Sequence, residues 1–254
     1  MTDTWGSFGV KKIVLLLVIC LFGQGSIGEA CTTILVTKGA TANGSTFITH
    51  SNDSGSCDPS IVYVPARNNP SGSMRNVYPS AIAIDELPQY NCYMTPRLVD
   101  KKRAPGYAGY NKTDKNTIPL GAIPEAKRTY AYIDSDYAVM NEHGLMFGEC
   151  TNHSRVESDP QSGKGIFYAS ELARVALERC RTAREAVVLM GELIDTYGLY
   201  GTGETLLVAD KDEGWVFEMA VSPDGKGGLW VAQRVPDGEV FVAANQFRIR
   251  EISV

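Results

Sequence analysis

Apolar and β-branched residues dominate three short segments near the start of the chain. Residues 31–37, 45–50 and 61–64 each have the length and composition of a β-strand. Asn43-Gly44 stands between the first two segments and is a strong signal for a tight turn. The pattern therefore predicts a β-hairpin that begins directly at Cys31.

The next segment has little periodicity. Residues 67–128 are rich in Pro, Gly, Asn and Tyr, which predicts long loops with short elements that cover an active site. Strand character returns at residues 130–133, 137–140 and 145–147, and residues 141–144 form the turn between the last two.

One helical segment follows. In residues 167–197 the apolar positions recur at helical spacing, and Thr182 with Glu185 has the pattern of a capping box that starts a second helix. Gly198 is a natural stop for that helix. Four further strands are predicted at residues 205–209, 215–220, 229–235 and 240–244. Strands, a helix pair and then a strand meander predict an α+β fold.

The N-terminus has the order of a secretory signal peptide. Lys11 and Lys12 precede ten apolar residues, 13–22, and Gly28 and Ala30 put small residues at the −3 and −1 positions of a cut before Cys31. We therefore expect residues 1–30 to be a signal peptide and residues 31–254 to be one exported domain with no stable membrane insertion. An uncleaved anchor is the alternative, and a lipoprotein signal is disfavoured by Gly28.

The net charge and the cysteine spacing bear on three features: nucleic-acid binding, disulfides and metal sites. The chain has 254 residues and a net charge of −5, so it has no electrostatic reason to bind nucleic acid. Cys57, Cys92, Cys150 and Cys180 would form either two disulfides or four free thiols in an exported domain. Their spacing contains no CxxC pair, so neither a metal site nor any other cofactor is expected.

A cut before Cys31 would place a thiol and a free α-amine on the same residue. Such an amine has a pKa of roughly 7.7–8.0, so it can take the proton of the thiol and later return it to a leaving amine. One residue would then supply both the nucleophile and the general base.

Four motifs occur in an order that resembles a known family. They are residues 31–36 (CTTILV), Asp53, residues 141–145 (NEHGL) and residues 244–248 (ANQFR). The chain from Cys31 onward resembles the dipeptidases of the N-terminal-nucleophile cysteine hydrolases, the class of dipeptidase A and the secernins. More distantly it is similar to choloylglycine hydrolases and penicillin V acylases. The resemblance implies a four-layer αββα sandwich and amide hydrolysis through an acyl-enzyme.

The resemblance also implies roles for individual residues. Cys31 matches the nucleophile, Asp53 the carboxylate that holds its amine, and Asn245 a donor to the oxyanion. A further oxyanion position falls on Thr151 or on its neighbour Asn152, and the motif does not decide between them. His50 stands close to where many relatives have an arginine whose charge favours the thiolate.

These expectations lead to a function with stated alternatives. The leading hypothesis is a thiol dipeptidase that acts on small peptides. Another N-terminal-nucleophile amidase or acylase, and a non-enzymatic secreted module stabilised by disulfides, are the alternatives. Because dipeptidases of this family are usually longer, we also expect the sandwich to be incomplete at its C-terminus.

Overall fold

Two larger antiparallel sheets, two two-stranded sheets and a helix pair make up the computed structural model, which describes residues 31–53, 61–79, 119–160, 164–224 and 227–252. The strands are β1 (Thr33–Val36), β2 (Phe47–His50), β3 (Val62–Val64), β4 (Arg67–Asn68), β5 (Met74–Val77), β6 (Gly121–Pro124), β7 (Arg128–Thr129), β8 (Tyr132–Asp134), β9 (Met140–Asn141), β10 (Met146–Asn152), β11 (Gly203–Ala209), β12 (Gly214–Val221), β13 (Gly228–Val235) and β14 (Val240–Ala243). The helices are α1 (Ala169–Arg179) and α2 (Ala183–Tyr197), and a short 3-10 helix spans Lys38–Ala40. The predicted signal peptide lies outside the described residues.

The smaller sheet has three strands in the order β14-β1-β2. Thr33 on β1 lies opposite His50 on one side and Ala243 on the other. The pairing of β1 with β2 confirms the predicted hairpin, and Gly44 adopts the positive φ of 73° that its turn requires. The first strand of the described chain is therefore the central strand of its sheet.

The larger sheet has seven strands in the order β13-β12-β11-β10-β9-β8-β3. The two helices of the described chain match the predicted helix pair closely. The side chain of Thr182 accepts a hydrogen bond from the backbone N–H of Glu185, and the Glu185 side chain accepts one from the backbone N–H of Thr182, so the capping box is present. Helix α2 ends at Gly198, which has a φ of 73°. Neither described helix is long and apolar enough to cross a membrane.

The two faces of the larger sheet are covered differently. One face packs on the helices through residues such as Phe147, Leu206 and Leu172. The other packs on the small sheet through a second core of Leu35, Leu207, Ala209, Val216 and Val235. The described residues are thus sheet-rich with two helices, in agreement with the α+β prediction. They show one helical layer and two sheets, and the four-layer sandwich stays a prediction.

The short elements predicted within residues 67–128 are four strands of two to four residues. Strands β5 and β6 pair antiparallel, as do β4 and β7. Arg75 on β5 is buried, and this polar residue at an inward position hides the alternation that would have indicated a strand. Residues 80–118 lie outside the described residues.

Buried ion pairs connect helix α1 to strands β5 and β8. The Arg174 guanidinium, 1% exposed, lies 3.0 Å from the carboxylate of Asp134 on β8 and 3.3 Å from Glu171. Arg75 on β5 lies 2.8 Å from Glu171 and 2.6 Å from Glu178. Each charge is compensated inside the protein, so the removal of one member leaves an unpaired buried charge.

We expect Arg174→Met to lower the free energy of unfolding by about 3–5 kcal/mol, because Asp134 and Glu171 would lose a buried partner. Arg184, whose side chain is 61% exposed beside Glu213, offers the matched control, and Arg184→Met should cost about 0–1 kcal/mol. Urea unfolding followed by tryptophan fluorescence measures both. Equal losses in the two variants would contradict a structural role for the buried network.

Candidate active site

Hydrogen bonds on two sides hold Cys31 in place just before β1. The N–H of Thr32 donates to Ser51 Oγ at 3.1 Å, and the N–H of Ser51 donates to Thr32 O at 2.9 Å. From the other sheet, the thiol of Cys150 donates to Cys31 O at 3.7 Å. Residue 31 is therefore fixed between the continuation of β2 and strand β10.

The thiol of Cys31 is half-buried and lies among negative charges. Burial raises its pKa, and the nearby charges of Glu149 and Asp53 raise it further. The backbone N–H groups of Asp53 and Thr151 hydrogen-bond to the sulfur and oppose this effect, but the pKa remains above its ordinary value. No positive charge on a described residue contributes to the shift.

Asn245 reaches the same place from the end of β14. Its φ of 51° is in the left-handed region, which Asn tolerates better than most residues. Its backbone N–H lies 2.7 Å from Cys150 Sγ, and its side-chain Nδ2 donates to Thr151 O at 2.6 Å. An amide nitrogen carries two hydrogens, so a second donor is available for an oxygen beside Cys31.

The contacts of β10 show which of Thr151 and Asn152 lies beside the nucleophile. The backbone N–H of Thr151 contacts the sulfur of Cys31. Asn152 is buried and donates to Thr205 Oγ1 at 2.6 Å, on the neighbouring strand. The structure therefore brings Thr151 to the nucleophile, while the side chain of Asn152 contacts β11.

His50 lies on β2, opposite Thr33, with its ring 6.1 Å from that of Tyr137. Its Nδ1 is buried and has no hydrogen-bond partner, and burial lowers its pKa. A neutral imidazole is therefore favoured at neutral pH, which weighs against the hypothesis that His50 supplies positive charge to the thiol. Asp53 is exposed, and its contact with Cys31 runs through its backbone N–H.

Sequence reasoning missed a pair of buried carboxyls behind the thiol. Glu149 on β10 and Glu204 on β11 contact each other; Thr151 Oγ1 donates to Glu149 at 2.9 Å and the hydroxyl of Tyr168 donates to Glu204. Burial raises the pKa of Glu149 to about 7 and that of Glu204 well above its usual value. A glutamate inside an apolar strand was the available signal, but alternation alone would have assigned it to a solvated face.

A cavity of about 440 Å³ opens beside this pair. Thr151, Tyr168 and Thr202 line its wall, and the exposed carboxylates of Glu157 and Asp159 lie at its edge. Thr151 joins the cavity to the nucleophile, because its side chain lines the cavity and its backbone N–H contacts the Cys31 sulfur.

The remaining described cysteines are buried free thiols. Cys150 and Cys180 form no disulfide, and burial raises their pKa values to about 11 and about 12. The described part of the chain therefore contains no disulfide, so the pattern of two bridges among these four cysteines is not formed. Cys57 and Cys92 lie outside the described residues.

Comparison with known proteins gives one matching family. The sequence model of Peptidase family C69 matches residues 30–254. The chain is 26% identical over 229 residues to a dipeptidase of Bifidobacterium longum, covering 89% of this chain and 39% of that protein. It is 28% identical over 225 residues to dipeptidase A of Lactobacillus helveticus, covering 86% and 41%. The chain thus spans less than half the length of these curated relatives.

Among solved structures, penicillin V acylase from Agrobacterium tumefaciens aligns with a TM-score of 0.42 and 13% sequence identity. The alignment covers 80% of this chain and 49% of the acylase.

The carboxyl pair predicts a specific pH dependence of stability. Because the folded pKa of Glu149 is raised to about 7, its protonated form stabilises the fold fully below about pH 4.5, and this contribution is lost as the pH rises through 7. Glu149→Gln stays neutral, so its melting temperature should fall less than that of wild type between pH 5 and pH 8.

Differential scanning fluorimetry in steps of one pH unit measures this difference. Glu192 is an exposed residue of helix α2, and Glu192→Gln should follow the wild-type profile. A Glu149→Gln profile parallel to that of wild type would exclude the raised pKa.

Proposed function

The chain belongs to Peptidase family C69, and we propose that it hydrolyses dipeptides through Cys31 as an N-terminal nucleophile. The single observation that carries the proposal is that Thr151 links two residues far from it in sequence: its backbone N–H contacts the half-buried thiol of Cys31, and its carbonyl oxygen accepts a hydrogen bond from Asn245. The dipeptidase relatives support the substrate class.

In the proposed reaction, cleavage before Cys31 first frees its α-amine. The amine takes the thiol proton, and Sγ attacks the carbonyl carbon of the peptide bond to form a tetrahedral intermediate. The ammonium then returns the proton to the departing amine, which leaves a thioester on Cys31. Water hydrolyses this thioester with the α-amine as the base, and the free thiol is restored.

Two donors are suitably placed for the oxygen that becomes negative in this intermediate. The backbone N–H of Thr151 contacts the Cys31 sulfur, and Asn245 Nδ2 donates to the carbonyl oxygen of the same Thr151. Fixed donors of this kind stabilise the transition state without reorganisation during the reaction. Asn245 would therefore act as the oxyanion donor that the family resemblance implies.

The surroundings of the thiol support a role for the α-amine. The described neighbours that shift the pKa of Cys31 through charge, Glu149 and Asp53, are both negative and disfavour the thiolate. The buried His50 favours its neutral form. A positive α-ammonium on residue 31 would reverse this balance, and Asp53 is close enough to hold it.

The nucleophile is tested by substitution in the full-length chain. Cys31→Ala should abolish dipeptide hydrolysis, and Cys31→Ser should retain only a small fraction, because a hydroxyl ionises far less readily than a thiol. Cys180→Ala removes a buried thiol away from the site and should stay active. The release of amino acids from a panel of dipeptides measures turnover, and melting temperatures confirm the fold.

Acyl amides that lack a peptide bond belong in the same panel, because they separate a dipeptidase from an acylase. Peptidase activity of Cys31→Ala close to that of wild type would remove Cys31 from the mechanism. Turnover of acyl amides alone would contradict the dipeptidase proposal.

Processing is tested by the reactivity of the thiol. We expect the exported protein to begin at Cys31, and its Cys31 to react with iodoacetamide at pH 7 faster than in an uncleaved Ala30→Phe variant, because the new ammonium lowers the thiol pKa. N-terminal sequencing, intact mass and peptide mapping measure both properties. Cys180 is the internal control and should react slowly in both proteins. Equal Cys31 rates would show that the amine does not activate the thiol.

A further inference from the structure

We infer that Cys150 is the resolving partner of Cys31: when a hydroperoxide oxidises the nucleophile, the two residues form a reversible disulfide. Both are free thiols in the structure, and Cys150 takes no part in the proposed reaction. This modification is separate from dipeptide hydrolysis. Its first step rests on the proposed function, because the α-ammonium freed by processing makes Cys31 the more reactive thiol.

The alternation of side chains along both strands directs the two cysteines toward each other. Cys31 lies two residues before Thr33, so it continues the face of β1 that carries Thr33. Cys150 lies two residues after Gly148 on β10, so it continues the face that carries Gly148. Thr33 and Gly148 face each other, since a Cβ on Gly148 would lie 2.8 Å from Thr33 Oγ1. The cysteines therefore occupy the next pair of facing positions.

Reciprocal contacts confirm that the two side chains lie side by side. The thiol of Cys150 donates to the carbonyl oxygen of Cys31 at 3.7 Å. The sulfur of Cys31 in turn contacts the backbone N–H of Thr151, the residue that follows Cys150. A disulfide needs Cβ atoms about 3.5–4.5 Å apart, and the close approach of the two sheets at Gly148 favours such a short separation.

The two thiols differ in exposure, which sets the order of the chemistry. Cys31 is half-buried, so a small hydroperoxide can reach its sulfur. Cys150 is 0% exposed, and burial raises its pKa to about 11, so its thiol stays neutral and reacts slowly with an oxidant from solution. The backbone N–H of Asn245, 2.7 Å from Cys150 Sγ, holds this sulfur in place. Cys31 is therefore oxidised first, and Cys150 reacts with the product.

The oxidation has two steps. Hydrogen peroxide transfers one oxygen atom to Cys31 Sγ as its O–O bond breaks, which gives a sulfenic acid and water. Cys150 Sγ then bonds to Cys31 Sγ while the S–O bond breaks, and the hydroxyl leaves as water with the thiol proton of Cys150. Two electrons pass in total from the thiols to the peroxide. An added dithiol reverses the disulfide by thiol–disulfide exchange.

The absence of a resolving thiol would have a different outcome. A sulfenic acid that meets no thiol is open to further oxidation to a sulfinic acid, which dithiols do not reduce. Cys150 thus protects Cys31 from irreversible loss, at the cost of temporary inactivity while the disulfide holds its sulfur.

The test treats the processed full-length protein with hydrogen peroxide and maps its disulfides by mass spectrometry of unreduced peptides. We expect a linked pair of peptides that contain Cys31 and Cys150, and dithiothreitol should return nearly all of Cys31 to a form that iodoacetamide labels. In Cys150→Ala the same treatment should give the sulfinic acid of Cys31, and the labelling recovered should fall at least ~5-fold. Oxidation of Cys31 without this link, or a link from Cys31 to another cysteine, would overturn the inference.

Cys180→Ala provides the matched control. Cys180 is a buried free thiol whose carbonyl oxygen accepts a hydrogen bond from Asn141, and its removal should change neither the link nor the recovery. Melting temperatures show whether both variants fold. Because the linked peptide is sought in wild type, its absence would refute the disulfide even if Cys150→Ala failed to fold. Recovery in a folded Cys150→Ala equal to that of wild type would refute the protective role.

The two proposals fail separately, because mass spectrometry detects the disulfide without any substrate. If wild type hydrolyses dipeptides but peroxide produces no link between Cys31 and Cys150, the modification is wrong and the dipeptidase stands. If wild type leaves dipeptides intact but forms the link, the modification stands and the dipeptidase proposal fails.

Discussion

The pairing of β1 on both edges is the constraint on which the candidate site depends. β2 precedes Asp53 and β14 precedes Asn245, while Cys31 lies just before β1 itself. Thr33 is opposite both His50 and Ala243. One antiparallel register therefore brings the start of β1 and the ends of β2 and β14 to the same end of the small sheet. A shift of β1 by one residue would exchange its faces and remove Cys31 from strand β10.

Strand β10 contacts both the small sheet and the cavity, because its side chains alternate between its two faces. Cys150 is directed to Asn245 and the small sheet, whereas Thr151 and Glu149 contact each other beside the cavity. Gly148 allows the sheets to approach, since a Cβ there would lie 2.6 Å from Ile48 Cγ2 and 2.8 Å from Thr33 Oγ1. The backbone of β10 thus contacts the nucleophile at Thr151, and the same residue lines the cavity.

Local signals in the sequence predicted the elements, and contacts between distant residues decided what the sequence left open. The Asn43-Gly44 turn and the Thr182–Glu185 box act within a few residues, so their outcome is visible in the sequence. The pairing of β5 with β6 joins segments separated by residues 80–118, and no local pattern indicates it. Likewise, the choice of Thr151 over Asn152 and the contact between Glu149 and Glu204 depend on which strands become neighbours.

The electrostatics of the site connect processing and catalysis. While residue 31 is in a peptide bond, burial and the nearby carboxyls of Glu149 and Asp53 raise the pKa of its thiol and favour the protonated form. The same charges would stabilise any ammonium group placed among them, because the interaction that disfavours a thiolate favours a cation. In the proposed mechanism the α-ammonium of Cys31 arrives there after cleavage. The same environment would then keep the thiol protonated before processing and stabilise the ammonium that activates it afterwards.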